Sequence, residues 1–187
     1  VVSVTNSLVA GSIVRFGIDA QKEKWLPAIC DGSVLTSACL TEPGGGSDLA
    51  GIQTRAVKTE GGWRLDGSKV FISHAAHAGV LLVAATIAPA QRHRGVTVFL
   101  VDPTVAGVEI AEVPMRTLKR DNLAAIHFDG VEGEDTAVLG EVGGGFPILG
   151  AALDMGRFSV AARCIGQAQR AIDLTAVSYT HMTLPTN

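Results

Sequence analysis

The sequence predicts an α+β chain in which an antiparallel, barrel-like β domain sits between two helical segments. Three observations predict it. Apolar residues before Ser33 recur at helical spacing. From Val34 to Val138 the chain breaks into short β-rich runs separated by Gly, Asp and Pro, without helices long enough for parallel crossovers. After Gly143-Gly144-Gly145 the apolar period becomes helical again and stays so to about Val177.

In the first zone, residues 1–33, Leu8, Val9, Ile13, Val14 and Phe16 outline a helix face closed near Gly17. Gln21 to Ile29 reads as a second short helix, with Asp19 as its cap and Trp25, Leu26 and Ile29 on its apolar side. Pro27 argues against a regular helix beyond it.

The second zone, residues 34–138, opens with a strand from Val34 to Leu40 and another over Gln53 to Thr59. Gly61-Gly62 is a hairpin signal before the alternating Trp63-Arg64-Leu65-Asp66. Asp66-Gly67 reads as a further turn, followed by strands over Lys69 to Ser73 and Gly79 to Ile87. The latter is continuously apolar, which predicts cover on both faces. Val96 to Val101 is the clearest strand, ended by Asp102-Pro103, and Val108 to Val113 and Leu123 to Phe128 complete the set.

The third zone, residues 139–177, carries Phe146, Ile148, Leu149, Ala152, Leu153 and Met155, then Ala161, Ile165, Ala168, Ile172 and Leu174. Its small residues permit close helix packing, and Gly156 marks either a bend or a tight contact. Residues 178–187 break the pattern and read as a frayed or non-native tail.

Composition narrows the function. A formal charge of −3 gives no footprint for nucleic acid. No apolar run reaches the length of a membrane span, and Val1 to Ala10 is not a secretory signal. Cys30, Cys39 and Cys164 have no metal or redox spacing and read as free thiols of a cytoplasm or organelle matrix. His74 and His77 are three apart but form no metal motif, so no metal site is assigned. Arg92-His93-Arg94 reads either as a solvated turn or as a phosphate contact.

Three groups of residues carry chemistry. Leu40-Thr41-Glu42-Pro43-Gly44-Gly45-Gly46-Ser47-Asp48 offers unobstructed backbone N–H groups and the Ser47 hydroxyl to an anion, or else is a tight connection between strands. Glu42 reads as positional, given Pro43 and the glycines after it. In Lys69-Val70-Phe71-Ile72-Ser73, Phe71 and Ser73 share one side of a strand, an apolar ring beside a hydroxyl. Asp154 and Arg157 are three apart on a helix and face the same way.

These runs resemble the acyl-CoA dehydrogenase family. The resemblance covers Gln21 to about Thr175 and rests on Gln21-Lys22-Glu23-Lys24-Trp25-Leu26-Pro27, the Leu40–Asp48 run and Leu65-Asp66-Gly67-Ser68-Lys69-Val70-Phe71-Ile72-Ser73. Phe99-Leu100-Val101, Phe128-Asp129-Gly130-Val131, and Gly156-Arg157-Phe158 with Gly166-Gln167-Ala168-Gln169 follow in the family's order.

The resemblance implies the end of an N-terminal helical domain, a middle β domain and the start of a C-terminal helical bundle. It implies FAD as cofactor, an acyl-CoA thioester as substrate and α,β-desaturation as the reaction. It further implies an electron-transfer flavoprotein as electron acceptor and a homotetramer or homodimer as the assembly. Residue by residue, it puts Leu40 and Thr41 at the flavin edge and Phe71 and Ile72 beside the flavin. Ser73 goes to the N5 edge and Ser47 near cofactor phosphate or thioester. Asp154 and Arg157 fall in the acyl-CoA pocket.

Four positions depart from the family pattern. Phe71 stands where Trp is frequent, Ser73 where Thr is, His74 where Asn or Gly is, and Ala38 where some members place an aromatic. The family's catalytic Glu lies downstream in most members and on the helix beside the equivalent of Arg157 in a minority, where Gly156 stands here. No catalytic residue is therefore assigned, and this stretch alone is expected not to turn over. An acyl-CoA oxidase, a flavin monooxygenase and a non-enzymatic module that binds acyl-CoA or flavin or serves only oligomerisation stay open as alternatives on the same scaffold.

Overall fold

The computed structural model describes residues 3–114 and 123–181. A π-helical stretch, Ser3–Ala10, leads into α1 (Gly11–Phe16) and α2 (Asp19–Cys30). Val9 and Ile13 are fully buried, whereas Val14, expected on the same face, is exposed. The cap of α2 also differs from expectation. Asp19 lies inside the first turn, and the free Ile18 N–H is instead satisfied by the Gln21 side-chain oxygen at 3.1 Å. The Gln21 amide nitrogen then donates to the Thr136 and Val138 carbonyls at 2.8 and 2.9 Å, tying α2 to the last strand. Pro27 sits within the helix without ending it.

The strands are β1 (Leu35–Cys39), β2 (Arg55–Thr59), β3 (Gly62–Ser73), β4 (Ala78–Thr86), β5 (Val96–Val101), β6 (Val108–Val113), β7 (Leu123–Gly133) and β8 (Val138–Leu139). They form one sheet in the order β6-β7-β3-β2-β4-β5-β8, with β1 on the edge of β4. The helix–sheet–helix class expected from the sequence is the observed one. The pairing is mixed, however, rather than purely antiparallel: β1 and β2 both run parallel to β4.

β4 is covered on both faces, as its apolar run predicts. Leu81, Val83 and Ala85 face a core with Trp63, Leu65, Phe99, Ile126 and Phe128. Val80, Leu82 and Ala84 face a second core with Val9, Ile13, Ile29, Ile148 and Leu149 from the helices.

Asp66-Gly67 is not a turn. β3 runs through it, with a register shift between Leu65 and Gly67 against β7. Gly67 takes φ +150, and a Cβ there would lie 2.7 Å from Thr54 Cα, so only glycine lets the two strands approach. The Asp66 carboxylate accepts from the Gly130 N–H at 2.9 Å across the pair.

α3 runs from Gly145 to His181, and so into the stretch expected to fray; residues 182–187 lie outside the described residues. Ile148, Leu149 and Ala152 anchor its first turns in the core. Gly156 marks a tight contact, since a Cβ there would meet Leu8 at 3.3 Å, and Ser159 Oγ lies 2.8 Å from Ser7 Oγ. Beyond it Phe158, Ile165, Ile172, Leu174 and Val177 are exposed. No helix of the described residues is long and apolar enough to cross a membrane.

Candidate functional site

The ends of β1 and β3 meet at one edge of the sheet. The Val70 N–H donates to the Thr41 carbonyl at 2.9 Å, and the Ser37 hydroxyl donates to the Ser73 carbonyl at 2.7 Å. Thr41 and Ser73 are each half-buried there. Gly46 lies against Thr41, because a Cβ on Gly46 would stand 3.3 Å from the threonine methyl. Space beside Gly44 and Gly45 is open.

Phe71 does not lie in regular strand. The register of β3 on β7 slips between Lys69 and Ile72, and Phe71 takes φ +59. Two residues, Val70 and Phe71, thereby stand opposite Ala125 alone, which is a β-bulge. Ile72 stays in the core while the Phe71 ring is 59% exposed. A positive φ is a genuine outlier for a bulky residue. His74 follows at φ +62, a second left-handed residue, just beyond the end of β3.

Glu42 and Lys69 form a buried pair that the sequence motifs do not mark. Lys69 is buried with its ammonium 2.8 Å from Glu42 Oε1 and 3.3 Å from the Leu40 carbonyl. The Glu42 carboxylate also accepts from the Gln53 N–H at 2.6 Å, the Thr54 N–H at 2.9 Å and the Thr54 hydroxyl at 2.6 Å. A closed pair of backbone bonds between Glu42 and Gly45 makes Pro43-Gly44 a tight turn.

Burial by itself would raise the Glu42 carboxyl. The Lys69 charge and the bonds from Lys69, Thr54 and Gln53 outweigh it and hold the group below its ordinary value. Burial pushes the Lys69 ammonium down, against the bond and charge of Glu42. The nearby Cys39 thiol is pushed up to about 12, chiefly by burial, and is therefore a packing residue rather than a nucleophile.

A carboxylate lowered on folding adds stability above its unfolded value, and that stability is lost as pH falls through the folded one. Urea midpoints of the protein should therefore decline as pH drops below about 4.5. Glu42→Gln should flatten that decline.

The remaining predicted residues lie apart from this edge. Ser47 is exposed in the loop, next to an Asp48–Arg92 ion pair of 2.7 Å. Arg92, one of the basic trio, is thus engaged by a carboxylate in this structure. Asp154 and Arg157 pair with each other on the exposed side of α3, with side chains 67% and 76% exposed. Arg157→Ala should change the stability of this fold by less than about 0.5 kcal/mol in urea unfolding, as exposed pairs do. A cavity of about 500 Å³ lies elsewhere, between α2 and the ends of β5 and β7, lined by Trp25, Leu65, Phe99 and Val131 among others. None of the predicted site residues lines it.

Residues 37–131 match the family model described as acyl-CoA dehydrogenase, middle domain, and residues 1–33 match the acyl-CoA dehydrogenase N-terminal domain. The chain belongs to the acyl-CoA dehydrogenase family. It is 34% identical over 180 residues to an acyl-CoA dehydrogenase of Bacillus subtilis, covering 96% of this chain and 47% of that one. The three-dimensional structure of butyryl-CoA dehydrogenase from Megasphaera elsdenii superposes with a TM-score of 0.93 at 34% identity, over 99% of this chain and 49% of that one. A glutaryl-CoA dehydrogenase from Mycobacterium smegmatis in complex with FADH2 gives 0.91 at 29% identity, over all of this chain and 47% of that one. The chain thus spans just under half the length of these family members.

Within the family motifs the sequence carried Thr41, Phe71 and Ser73 by type. It did not show that Lys69 points inward, because the bulge at Phe71 shifts the alternation. A lysine inside an apolar strand, with a lone Glu before a glycine turn, was the available signal.

Proposed function

We propose that the intact protein is an FAD-dependent acyl-CoA dehydrogenase. What supports this reading most is the meeting of Thr41, Phe71 and Ser73 at one sheet edge, with an aromatic ring held out of the core by a bulge. A left-handed bulky residue costs about 1–3 kcal/mol, and strain of this kind clusters at active sites and ligand clamps. A flat apolar ring beside half-buried hydroxyl and backbone groups suits an isoalloxazine. Bound FAD would supply the hydride acceptor for desaturation between Cα and Cβ of the thioester.

In this reading Leu40, Thr41, Ile72 and Ser73 lie along the flavin edge and Phe71 against its face. Ser47 lies by a phosphate or the thioester, and Asp154 and Arg157 face the acyl-CoA. The protein's own groups bind and orient the two ligands and exclude water between them. The same reading divides the chain at about residues 33 and 138 into the end of a helical domain, a β domain and the opening of a helical bundle. It also makes the assembly a homotetramer or homodimer and the electron acceptor an electron-transfer flavoprotein. Its setting would be a cytoplasm or organelle matrix.

Anaerobic titration of the purified intact protein with saturated acyl-CoA thioesters tests the proposal. Bleaching of the bound flavin, with release of the 2-enoyl thioester, is the expected result. Rapid reoxidation by O2 would shift the assignment to an oxidase. No flavin, or flavin that no thioester reduces, would overturn it.

A further inference from the structure

We infer that the buried Glu42–Lys69 pair is the positioning device of the flavin edge, setting the distance between the Leu40–Thr41 segment and the Phe71–Ser73 segment. The inference rests on the flavin reading given above. Its basis is connectivity. Lys69 holds Leu40 through its carbonyl at 3.3 Å and Glu42 through its carboxylate at 2.8 Å. Both chain neighbours of Thr41 are therefore fixed to one ammonium group. Val70, the next residue after Lys69, donates to the Thr41 carbonyl itself at 2.9 Å. The bulge that turns out Phe71 begins at the same place.

The other end of the pair is equally committed. Gln53 and Thr54, at the entry to β2, donate to the Glu42 carboxylate, so the ten residues 43–52 form a loop whose two ends are closed on one side chain. Shape alone does not require ions for this. An apolar pair of similar volume often matches or exceeds the stability of a buried ion pair. What an apolar pair lacks is direction. Nζ is a point donor with a fixed reach to two acceptors, and the carboxylate has two fixed oxygens. The pair therefore specifies where Thr41 stands relative to Phe71, whether or not it adds net stability.

The test compares the unsubstituted intact protein with Lys69→Met, Lys69→Arg and the neutral double variant Glu42→Gln with Lys69→Met. The double variant leaves no unpaired buried charge, so it retains a folded chain to measure. Three quantities are read: the FAD dissociation constant, the visible circular dichroism of bound flavin, and amide exchange at Val70 before flavin is added. The double variant should weaken FAD by about tenfold or more, the equivalent of one charge-assisted hydrogen bond. It should also alter the flavin dichroism and speed exchange at Val70, with Lys69→Arg restoring part of each. Unchanged affinity and dichroism in a folded double variant would overturn the inference and leave the dehydrogenase reading standing. Failure of the unsubstituted protein to take up FAD would overturn both.

Discussion

Lys69→Met lowers the unfolding free energy by about 3–5 kcal/mol, the cost of stranding one member of a buried ion pair. Lys69 is among the largest fully buried side chains of the described residues, and methionine keeps its stem but not its charge. The Glu42 carboxylate then keeps its bonds from Gln53 and Thr54 and loses its only cation among the described residues. Burial, which already opposes its ionisation, acts without that compensation. The carboxyl is expected to titrate at higher pH in the variant than in the parent. Equilibrium urea unfolding at neutral pH and again near pH 5 checks this: the deficit should shrink as Glu42 takes up a proton. Since whole domains are stable by only about 5–15 kcal/mol, the loss at neutral pH is a large fraction of the total.

Phe99→Ala is expected to cost about 3–5 kcal/mol through lost burial and the cavity left behind. Phe99 is fully buried on β5, between Val83 of β4 and Val138 of β8. Its ring meets Trp63 edge-on, with centroids 5.6 Å apart and planes at 63°. Aromatics make up only 5% of the sequence, so few other rings are available to fill the space. Phe158→Ala is the matched control. That ring is 75% exposed on α3, and its removal should move stability by no more than about 0.5 kcal/mol. Thermal unfolding of the two variants side by side separates burial from residue type.

Where the sequence was legible, local signals agreed with the tertiary outcome. Val96 to Val101 is apolar throughout and bounded by Asp102-Pro103, and β5 has those bounds. The doubly covered β4 was readable from its unbroken apolar run. The reading failed where a glycine served the sheet rather than a turn. Gly67 looks like the second half of an Asp-Gly turn, yet it is the residue that lets β3 pass close to Thr54. The parallel pairing of β1 with β4 was also invisible, because register across some forty residues of chain leaves no local pattern.

The candidate site followed the same division. Thr41, Phe71 and Ser73 were identifiable by residue type within motifs, and the structure brings them to one edge. The pair that holds that edge together was not, because a bulge puts Lys69 and Ile72 on the same side although they are three apart. Strict alternation assigns them opposite faces.

The most direct measurement is a crystal structure of the intact protein with FAD bound. The isoalloxazine edge should lie along Thr41 and Ser73 with the Phe71 ring against one face, and the Glu42–Lys69 contact should be unchanged. A flavin seated in another part of the molecule, with Phe71 facing solvent, would contradict the account.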